Sequence, residues 1–361
     1  MDYMERAISL ARGKMGTTSP NPAVGAVLVK SDHIIGEGAT QPPGGNHAEI
    51  VALKTAGSNA TKSTLYVTLE PCCLHGRTPP CTKSLIEAGI SKVYIASKDP
   101  NPEIDGKGIR ELQNSGIEVN LLPHYKGIKE LYQGFAKHIK TKLPFVTIKY
   151  AMSLDGKIAT KTGESKWITG DNARLRTHEI RSESDAVMIG INTVLYDDPQ
   201  LTARDIHGNP LPNQPLRIIV DSRGRTPASS RIFSSPGQTL LAMSTSDQSV
   251  SERLKKANVE LLNIEAKGSR VDLEKLLKIL GSRGIVNLLV EGGGSLSGSL
   301  FDLRLVDRVV AFIAPTIIGG TNAPSPVEGT GADSLSKSFN LFSVTTEKIG
   351  NDILVIGYPQ V

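Results

Sequence analysis

Apolar residues near the start of the chain recur at Met4, Ala7, Ile8 and Ala11, the spacing of one helical face, and predict a helix over 1–14. From 23 to 40 the pattern becomes two apolar runs separated by Ser31-Asp32, which reads as strand, turn, strand. The glycine- and proline-rich stretch 41–46 leads into a helix over 47–56 that Gly57 can cap. A strand over 64–69, a helix over 81–88 stopped by Gly89 and a strand over 92–96 follow, then a helix over 108–114, a strand over 117–122 and a charged helical segment over 125–140. The pattern restarts after Leu143-Pro144, with strands at 145–152, 186–189, 216–220, 239–243, 285–290 and 309–313 and helical segments between most of them. A hairpin over 341–358, turning at Gly350-Asn351, closes it. Strands alternating with helices imply an α/β fold class, and the restart implies two domains, 1–144 and 145–361.

Composition narrows what those domains do. At 361 residues and 39% hydrophobic, the chain can bury two cores. Its net charge of +5 favours anionic small molecules, but the longest pure basic run is Lys255-Lys256 and aromatics are only 4%, so no nucleic-acid partner is expected. The longest apolar stretches, such as 23–29 and 309–313, are far below the ~20 residues of a membrane span, and Asp2 and Glu5 sit where a signal peptide is basic. No membrane partner is expected. The three cysteines all fall between Cys72 and Cys81, which reads as ligands in a reducing, cytoplasmic compartment rather than a disulfide framework.

His47-Ala48-Glu49 opens a helix, Pro71-Cys72 follows a strand, and Cys81 opens the next helix. One imidazole and two thiolates leave a fourth tetrahedral position, the open arrangement of a catalytic zinc site. Glu49 is not needed as a ligand and can carry protons between water and a departing amine, the division of labour of zinc nucleobase deaminases. A His-x-Glu alone is equally a solvated helix start, and two cysteines alone are equally buried thiols or a structural clip. Their joint occurrence carries the reading. Cys73, next to Cys72, reads as a packing residue.

In the second half, Val290-Glu291-Gly292-Gly293-Gly294-Ser295 follows an apolar strand and precedes a helical stretch reaching Leu303. Backbone N–H groups there can approach an anion such as a pyrophosphate, although the motif is not a Rossmann fingerprint and also fits a plain tight turn.

Eight residues separate Cys72 from Cys81, where deaminase signatures commonly have two. The segments Ser19-Pro20-Asn21-Pro22-Ala23-Val24-Gly25-Ala26, His47-Ala48-Glu49 and Glu70 to Cys81, with 149–157 and 165–169 farther on, closely resemble the bifunctional deaminase-reductases of riboflavin biosynthesis. Leu74 stands where that family often has another residue. The resemblance implies a cytidine-deaminase-like three-layer α/β domain followed by a dihydrofolate-reductase-like α/β domain. It implies that His47, Cys72 and Cys81 hold one Zn2+, that Glu49 is the proton shuttle, and that Asn21, His75 and Arg77 lie near a pyrimidine ribotide. For the second domain it implies NADPH against Ala151, Trp167, Thr193, Asp197 and Ser222, and against Gly293, Gly294, Ser295, Leu296, Ser297, Gly298 and Ser299. Ser165, Arg181, Leu201, Arg204 and Glu291 are implied to contact substrate. Arg181 and Arg204 make chemical sense as a phosphate clamp, since guanidinium forks match phosphate oxygens. Asp155 and Glu291 are candidates for the acid-base residue of the reduction. A homo-oligomer is expected. Two other readings stay open at this point: a nucleoside or tRNA-base deaminase carrying a non-redox C-terminal module, and a zinc-stabilised ligand sensor without enzymatic activity.

Overall fold

Asp2 caps the first helix, α1 (Tyr3–Arg12), its carboxylate accepting from the backbone N–H groups of Met4 (2.9 Å) and Glu5 (3.1 Å). The helix buries Met4, Ala7, Ile8 and Ala11, the four positions of the sequence pattern. The protein is seen here in a computed structural model, which describes residues 2–74, 79–122, 125–245, 247–255 and 257–360. Its chain divides into two units, Met1–Leu143 and Pro144–Val361.

In the first unit β1 (Gly25–Lys30) and β2 (His33–Ala39) form a hairpin in which Lys30 pairs with His33. The two turn residues, Ser31 and Asp32, both have positive φ (49° and 60°), the backbone that matches the twist of a two-residue hairpin. Then come α2 (Ala48–Ala56), β3 (Thr64–Val67), α3 (Cys81–Glu87), β4 (Lys92–Ile95), α4 (Lys107–Asn114), β5 (Glu118–Leu121) and α5 (Ile128–Thr141). The sheet order is β2-β1-β3-β4-β5; β3, β4 and β5 run parallel, with α3 and α4 as crossovers. Glycines set the layer spacing. A Cβ on Gly25 would sit 1.9 Å from the Ala7 carbonyl oxygen of α1, and one on Gly38 would sit 2.2 Å from the Ala48 carbonyl oxygen of α2. Gly38 pairs with Ala26, the neighbour of Gly25, so the two glycines face opposite sides of the sheet and α1 and α2 cover opposite faces. The first unit is therefore a three-layer α/β stack.

The second unit begins with β6 (Phe145–Ser153), α6 (Asp171–Ser182), β7 (Ala186–Gly190), α7 (Ile191–Asp197) and β8 (Leu216–Val220). It continues with α8 (Arg231–Ser234), β9 (Thr239–Met243), α9 (Gln248–Leu254), β10 (Glu260–Asn263), and the small hairpin β11 (Ala266–Lys267) and β12 (Arg270–Val271). It ends with α10 (Leu273–Ser282), β13 (Asn287–Glu291), α11 (Gly294–Asp302), β14 (Arg308–Ala314), β15 (Leu341–Ile349) and β16 (Asp352–Pro359). Nine strands make one sheet in the order β10-β9-β8-β7-β13-β6-β14-β16-β15, parallel as far as β14 and antiparallel beyond it. Every residue of β9 is buried, as expected of a parallel strand covered on both faces. Two carboxylates tie strand starts together: Asp185 accepts from the Val286 and Asn287 N–H groups (2.9 and 2.7 Å), and Asp307 from that of Val146 (2.6 Å). Arg217 on β8 is fully buried, and its guanidinium donates to the carbonyls of Ser235 (3.2 Å), Gly237 (2.5 Å) and Gln238 (3.3 Å). Burial pushes this guanidinium down to about 10.

Candidate functional site

Two helix starts build the site of the first unit. His47 is the residue before α2, in extended backbone, and Cys81 is the first residue of α3. Cys72 lies past the end of β3, where the Cys81 N–H donates to its sulfur at 3.4 Å and the Thr82 N–H to its carbonyl at 3.2 Å. The His47 Nδ1 stands 3.5 Å from Cys72 Sγ and 3.3 Å from Cys81 Sγ. All three donor atoms fall within 4.8 Å of one another. Among the described residues no other such group of His, Cys, Asp and Glu is found.

The two thiols respond to each other in opposite ways. Hydrogen bonding with Cys81, and then with His47, draws the Cys72 thiol down to about 4 in spite of burial, while the contact with Cys72 and burial push the Cys81 thiol up. Two thiolates this close cannot both be charged without a cation among them, so the donor set fits a soft divalent ion. Glu49, in the first turn of α2, is 4% exposed and within hydrogen-bonding reach of Cys81. Burial, and next the charge on Cys72, push its carboxyl up to about 7. That range suits a group that takes and returns a proton near neutrality. Cys73 is half-buried, and burial pushes its thiol up, away from ligation. Asn21 is exposed on the segment before β1, its N–H donating to the Thr18 carbonyl at 3.0 Å. His75 and Arg77 lie outside the described residues.

The second unit has a cleft of 760 Å³, within the range of small-molecule sites. Thr193, Asp197, Ser222, Gly293, Gly294, Ser295, Leu296 and Ser299 line it, as does Ser165. Four other residues expected at the cofactor do not. Trp167 is 70% exposed, with the Arg174 guanidinium 4.7 Å from its ring centroid, and Ala151 is half-buried on β6. Ser297 and Gly298 are buried on the inner side of α11, where a Cβ on Gly298 would meet the Glu328 carbonyl oxygen at 2.1 Å. Gly298 is thus a packing glycine, whereas Gly293, with φ +80° and only Thr193 Oγ1 nearby (3.2 Å), leaves backbone bare at the cleft. The two should separate by experiment. Gly298→Val is expected to abolish soluble folded protein or lower its melting temperature sharply, and Gly293→Val, which suffers only the strain of a side chain at positive φ, to lower it less, to fold, and to bind dinucleotide weakly. Equal melting temperatures for the two variants would refute the distinction.

Glu291, at the end of β13, is buried beside two cations. Arg181 grips it bidentately (Nε–Oε1 2.5 Å, Nη2–Oε2 3.0 Å), and the Lys149 ammonium lies 3.6 Å away. Burial alone would raise this carboxyl; Arg181 and then Lys149 overcome it and hold the group at about 2. Lys149 itself is drawn down by burial. Arg181 and Arg204 meet at Thr202: Arg181 Nη1 donates to its carbonyl (3.1 Å) and Arg204 Nε to its hydroxyl (2.9 Å). His178 Nδ1 donates to the same carbonyl (3.1 Å). Leu201 is buried in the core of the unit with φ +55°, an uncommon conformation for a leucine. Asp155 is occupied. Its oxygens accept from Ser153 (2.6 Å) and from the Ile318 and Gly319 N–H groups (3.0 and 2.7 Å), which hold it at about 2. A carboxyl that acidic keeps no proton to donate at neutral pH.

Sequence reasoning missed Lys149 and His178. Lys149 had a signal, a lysine in the middle of a largely apolar strand, although its pairing in register with Glu291 is visible only in the structure. His178, midway along a polar helix, had none.

Comparisons with known proteins cover both units. Residues 1–97 match the cytidine and deoxycytidylate deaminase zinc-binding region, and residues 144–355 match the RibD C-terminal domain. The chain is 44% identical over 359 residues to the riboflavin biosynthesis protein RibD of Actinobacillus pleuropneumoniae, covering 98% of this chain and 94% of that one. It is 40% identical over 326 residues to the protein of the same name from Escherichia coli, covering 88% of each. Its structure matches Acinetobacter baumannii RibD, form 1, with a TM-score of 0.84 and 38% identity, covering 99% and 98% of the two chains. A Thermotoga maritima structure, titled a diaminohydroxyphosphoribosylaminopyrimidine deaminase and 5-amino-6-(5-phosphoribosylamino)uracil reductase, matches with a TM-score of 0.83 and 36% identity over the same shares. Family models over both units, together with relatives this similar along nearly the whole chain, establish that it belongs to the RibD family, the bifunctional deaminase-reductases of riboflavin biosynthesis, with a zinc-binding deaminase domain and a reductase domain.

Proposed function

We propose that residues 1–144 deaminate 2,5-diamino-6-(ribosylamino)pyrimidin-4-one 5′-phosphate and that residues 145–361 reduce the ribosyl group of the resulting uracil to ribityl with NADPH. The observation that carries the reading is the convergence of His47, Cys72 and Cys81 within 4.8 Å beside a buried glutamate. Those three side chains would hold zinc, which when bound supplies Lewis acidity that makes a water nucleophilic at neutral pH. Glu49 Oε takes the proton of the attacking water and returns it to the departing amine, so that ammonia leaves and a carbonyl remains. Its burial excludes bulk water from that transfer.

In the second unit the bare backbone at Gly293 and the start of α11 suit the pyrophosphate of a dinucleotide. NADPH when bound supplies the hydride. Ser165, which donates to Asp197 at 2.6 Å, borders the same cleft and suits orientation of the sugar. Arg181, Leu201, Arg204 and Glu291 are assigned to substrate. The cationic pair around Thr202 supports that assignment for the ribotide phosphate, with Glu291 setting the position of the Arg181 guanidinium.

The test is to supply the diaminopyrimidine ribotide with and without NADPH and identify products by mass. Ammonia release without NADPH, then a gain of two hydrogens with it, is the expected result; tight RNA binding with no response to NADPH would overturn the reading. No helix among the described residues is long and apolar enough to cross a membrane. Cytoplasmic location and a homo-oligomer belong to the same proposal. Support for the oligomer is β15, an outer strand with Phe342 and Val344 about half exposed. Light scattering should give a multiple of the 38.6 kDa chain mass, and Phe342→Lys should reduce it; monomer mass for the parent protein counts against it.

A further inference from the structure

Between the two arginines assigned to the ribotide phosphate lies the carbonyl of Thr202, and a histidine outside the proposed chemistry holds it. Thr202 is 1% exposed. Its carbonyl takes two donors from α6, Arg181 Nη1 and His178 Nδ1, each at 3.1 Å. Three positions apart on the helix, these two side chains share one face. The Thr202 hydroxyl accepts from Arg204 Nε at 2.9 Å. Thr202 is therefore the residue through which Arg181 and Arg204 keep their spacing.

The segment around Thr202 depends on being held. Leu201 sits at φ +55°, a conformation that a leucine keeps only where its surroundings over-determine it. Gln214 grips Ala203 from both sides, accepting from its N–H at 2.8 Å and donating to its carbonyl at 2.9 Å. Buried Arg217 donates to the Gln200 carbonyl at 3.4 Å, and Arg204 Nη2 donates to the Gln200 side chain. The Thr202 carbonyl is held by the two side chains of α6.

Those two donors are not equivalent. Arg181 is charged, and its Nε and Nη2 already serve Glu291. A phosphate dianion competes for the guanidinium, and Nη1 is the donor it draws away, because a charge-assisted bond is stronger than one to a neutral carbonyl. A buried carbonyl left without a donor is destabilising in its own right. His178 prevents that loss. Burial, and next the Arg181 charge, lower its basicity, so it stays neutral with its proton on Nδ1, as donation to a carbonyl requires. A neutral donor is one that the phosphate does not pull from its place.

We propose that His178 is a positioning residue of the reductase domain: it holds the Thr202 carbonyl, and with it the Arg204 arm of the clamp, while Arg181 turns to the ribotide phosphate. The inference rests on the reading that Arg181 and Arg204 bind that phosphate.

The experiment uses the full zinc-loaded protein at saturating NADPH. It compares His178→Leu, which removes the donor, with His178→Asn, whose side-chain amide nitrogen falls close to the place of Nδ1 and keeps it. Reduction of the deaminated uracil ribotide is followed at steady state, with ribose 5-phosphate as competitor. His178→Leu is expected to raise the KM for the ribotide and the inhibition constant of ribose 5-phosphate about tenfold, and to leave kcat and NADPH affinity within about twofold. His178→Asn is expected to restore both constants to within about threefold of the parent. Melting temperature and NADPH affinity report the fold, and His178→Ala takes the place of the leucine variant if that one does not fold. A KM within about twofold of the parent in the donor-less variant overturns the proposal. So does an asparagine variant as impaired as the leucine one, because the Nδ1 donor would then not be what matters. A fall in kcat at unchanged KM overturns it by moving His178 into the chemical step. If ribose 5-phosphate does not inhibit the parent protein, the phosphate reading of the clamp itself fails, and the proposal with it.

Discussion

Replacing Glu49 by glutamine lowers deaminase turnover by ~10²–10⁴ while zinc stays at one per chain, because the amide is nearly isosteric and His47, Cys72 and Cys81 are untouched. Glu49 is nearly fully buried, which shields its proton transfer from bulk solvent. Reduction of the already deaminated uracil ribotide by the same variant proceeds at close to the parent rate. Cys81→Ser gives the contrasting outcome, losing metal together with activity, since it removes one of three donor atoms. Elemental analysis alongside ammonia release makes the distinction. Zinc lost from Glu49→Gln would make the glutamate a ligand or anchor, and a rate within a few-fold of the parent would remove it from the mechanism.

Glu291→Gln is expected to destabilise the second unit by about 3–5 kcal/mol, because it leaves the Arg181 and Lys149 cations buried around a neutral amide. The sign of the pH dependence follows from the same contacts. The folded carboxyl is held at about 2 against an ordinary 4.5. Its contribution is therefore complete above the ordinary value and is lost as pH falls from about 4.5 toward 2, on the order of 3 kcal/mol in all. Hydrogen exchange of the β13 amides, followed in parent and variant across that window, measures it. The parent should lose protection as the pH falls and the variant, already weakened, should show less change. Removing Arg181 as well, in Glu291→Gln/Arg181→Met, should recover part of the loss. A single variant within about 1 kcal/mol of the parent would show that the ion pair is not a keystone of this unit.

The contrast between those two sites explains what could be read in the amino-acid pattern. Metal donors are few in kind, and this chain has three cysteines, all in one stretch, so chemistry alone narrowed the partners of His47 before any fold was known. Most strands were legible because parallel strands buried on both faces are continuous apolar runs; residues 216–220 and 239–243 are β8 and β9 as expected. The short elements of the second unit, α7 and β10 to β12 among them, were not, since they owe their form to neighbours rather than to their own periodicity. The run Gly292–Gly294 read as an anion-binding feature, and the resemblance added Gly298 to the cofactor residues; in the structure Gly298 packs against Glu328 and does not line the cleft. A glycine reports that something comes close, not what. Glu291 was visible, but the bidentate grip of Arg181 joins residues far apart in the chain.

His47 and Cys81 open two different helices, and Cys72 hangs from the end of a strand. The donor set therefore exists only when α2, α3 and β3 are already docked, and an unfolded chain offers no equivalent. Metal occupancy and folding of this unit are then linked by mass action: at free zinc a hundredfold above its dissociation constant the folded form gains about 2.7 kcal/mol. Inside a cell, the lifetime of this protein would track zinc supply, so starvation for the metal would deplete the enzyme itself as well as idle it.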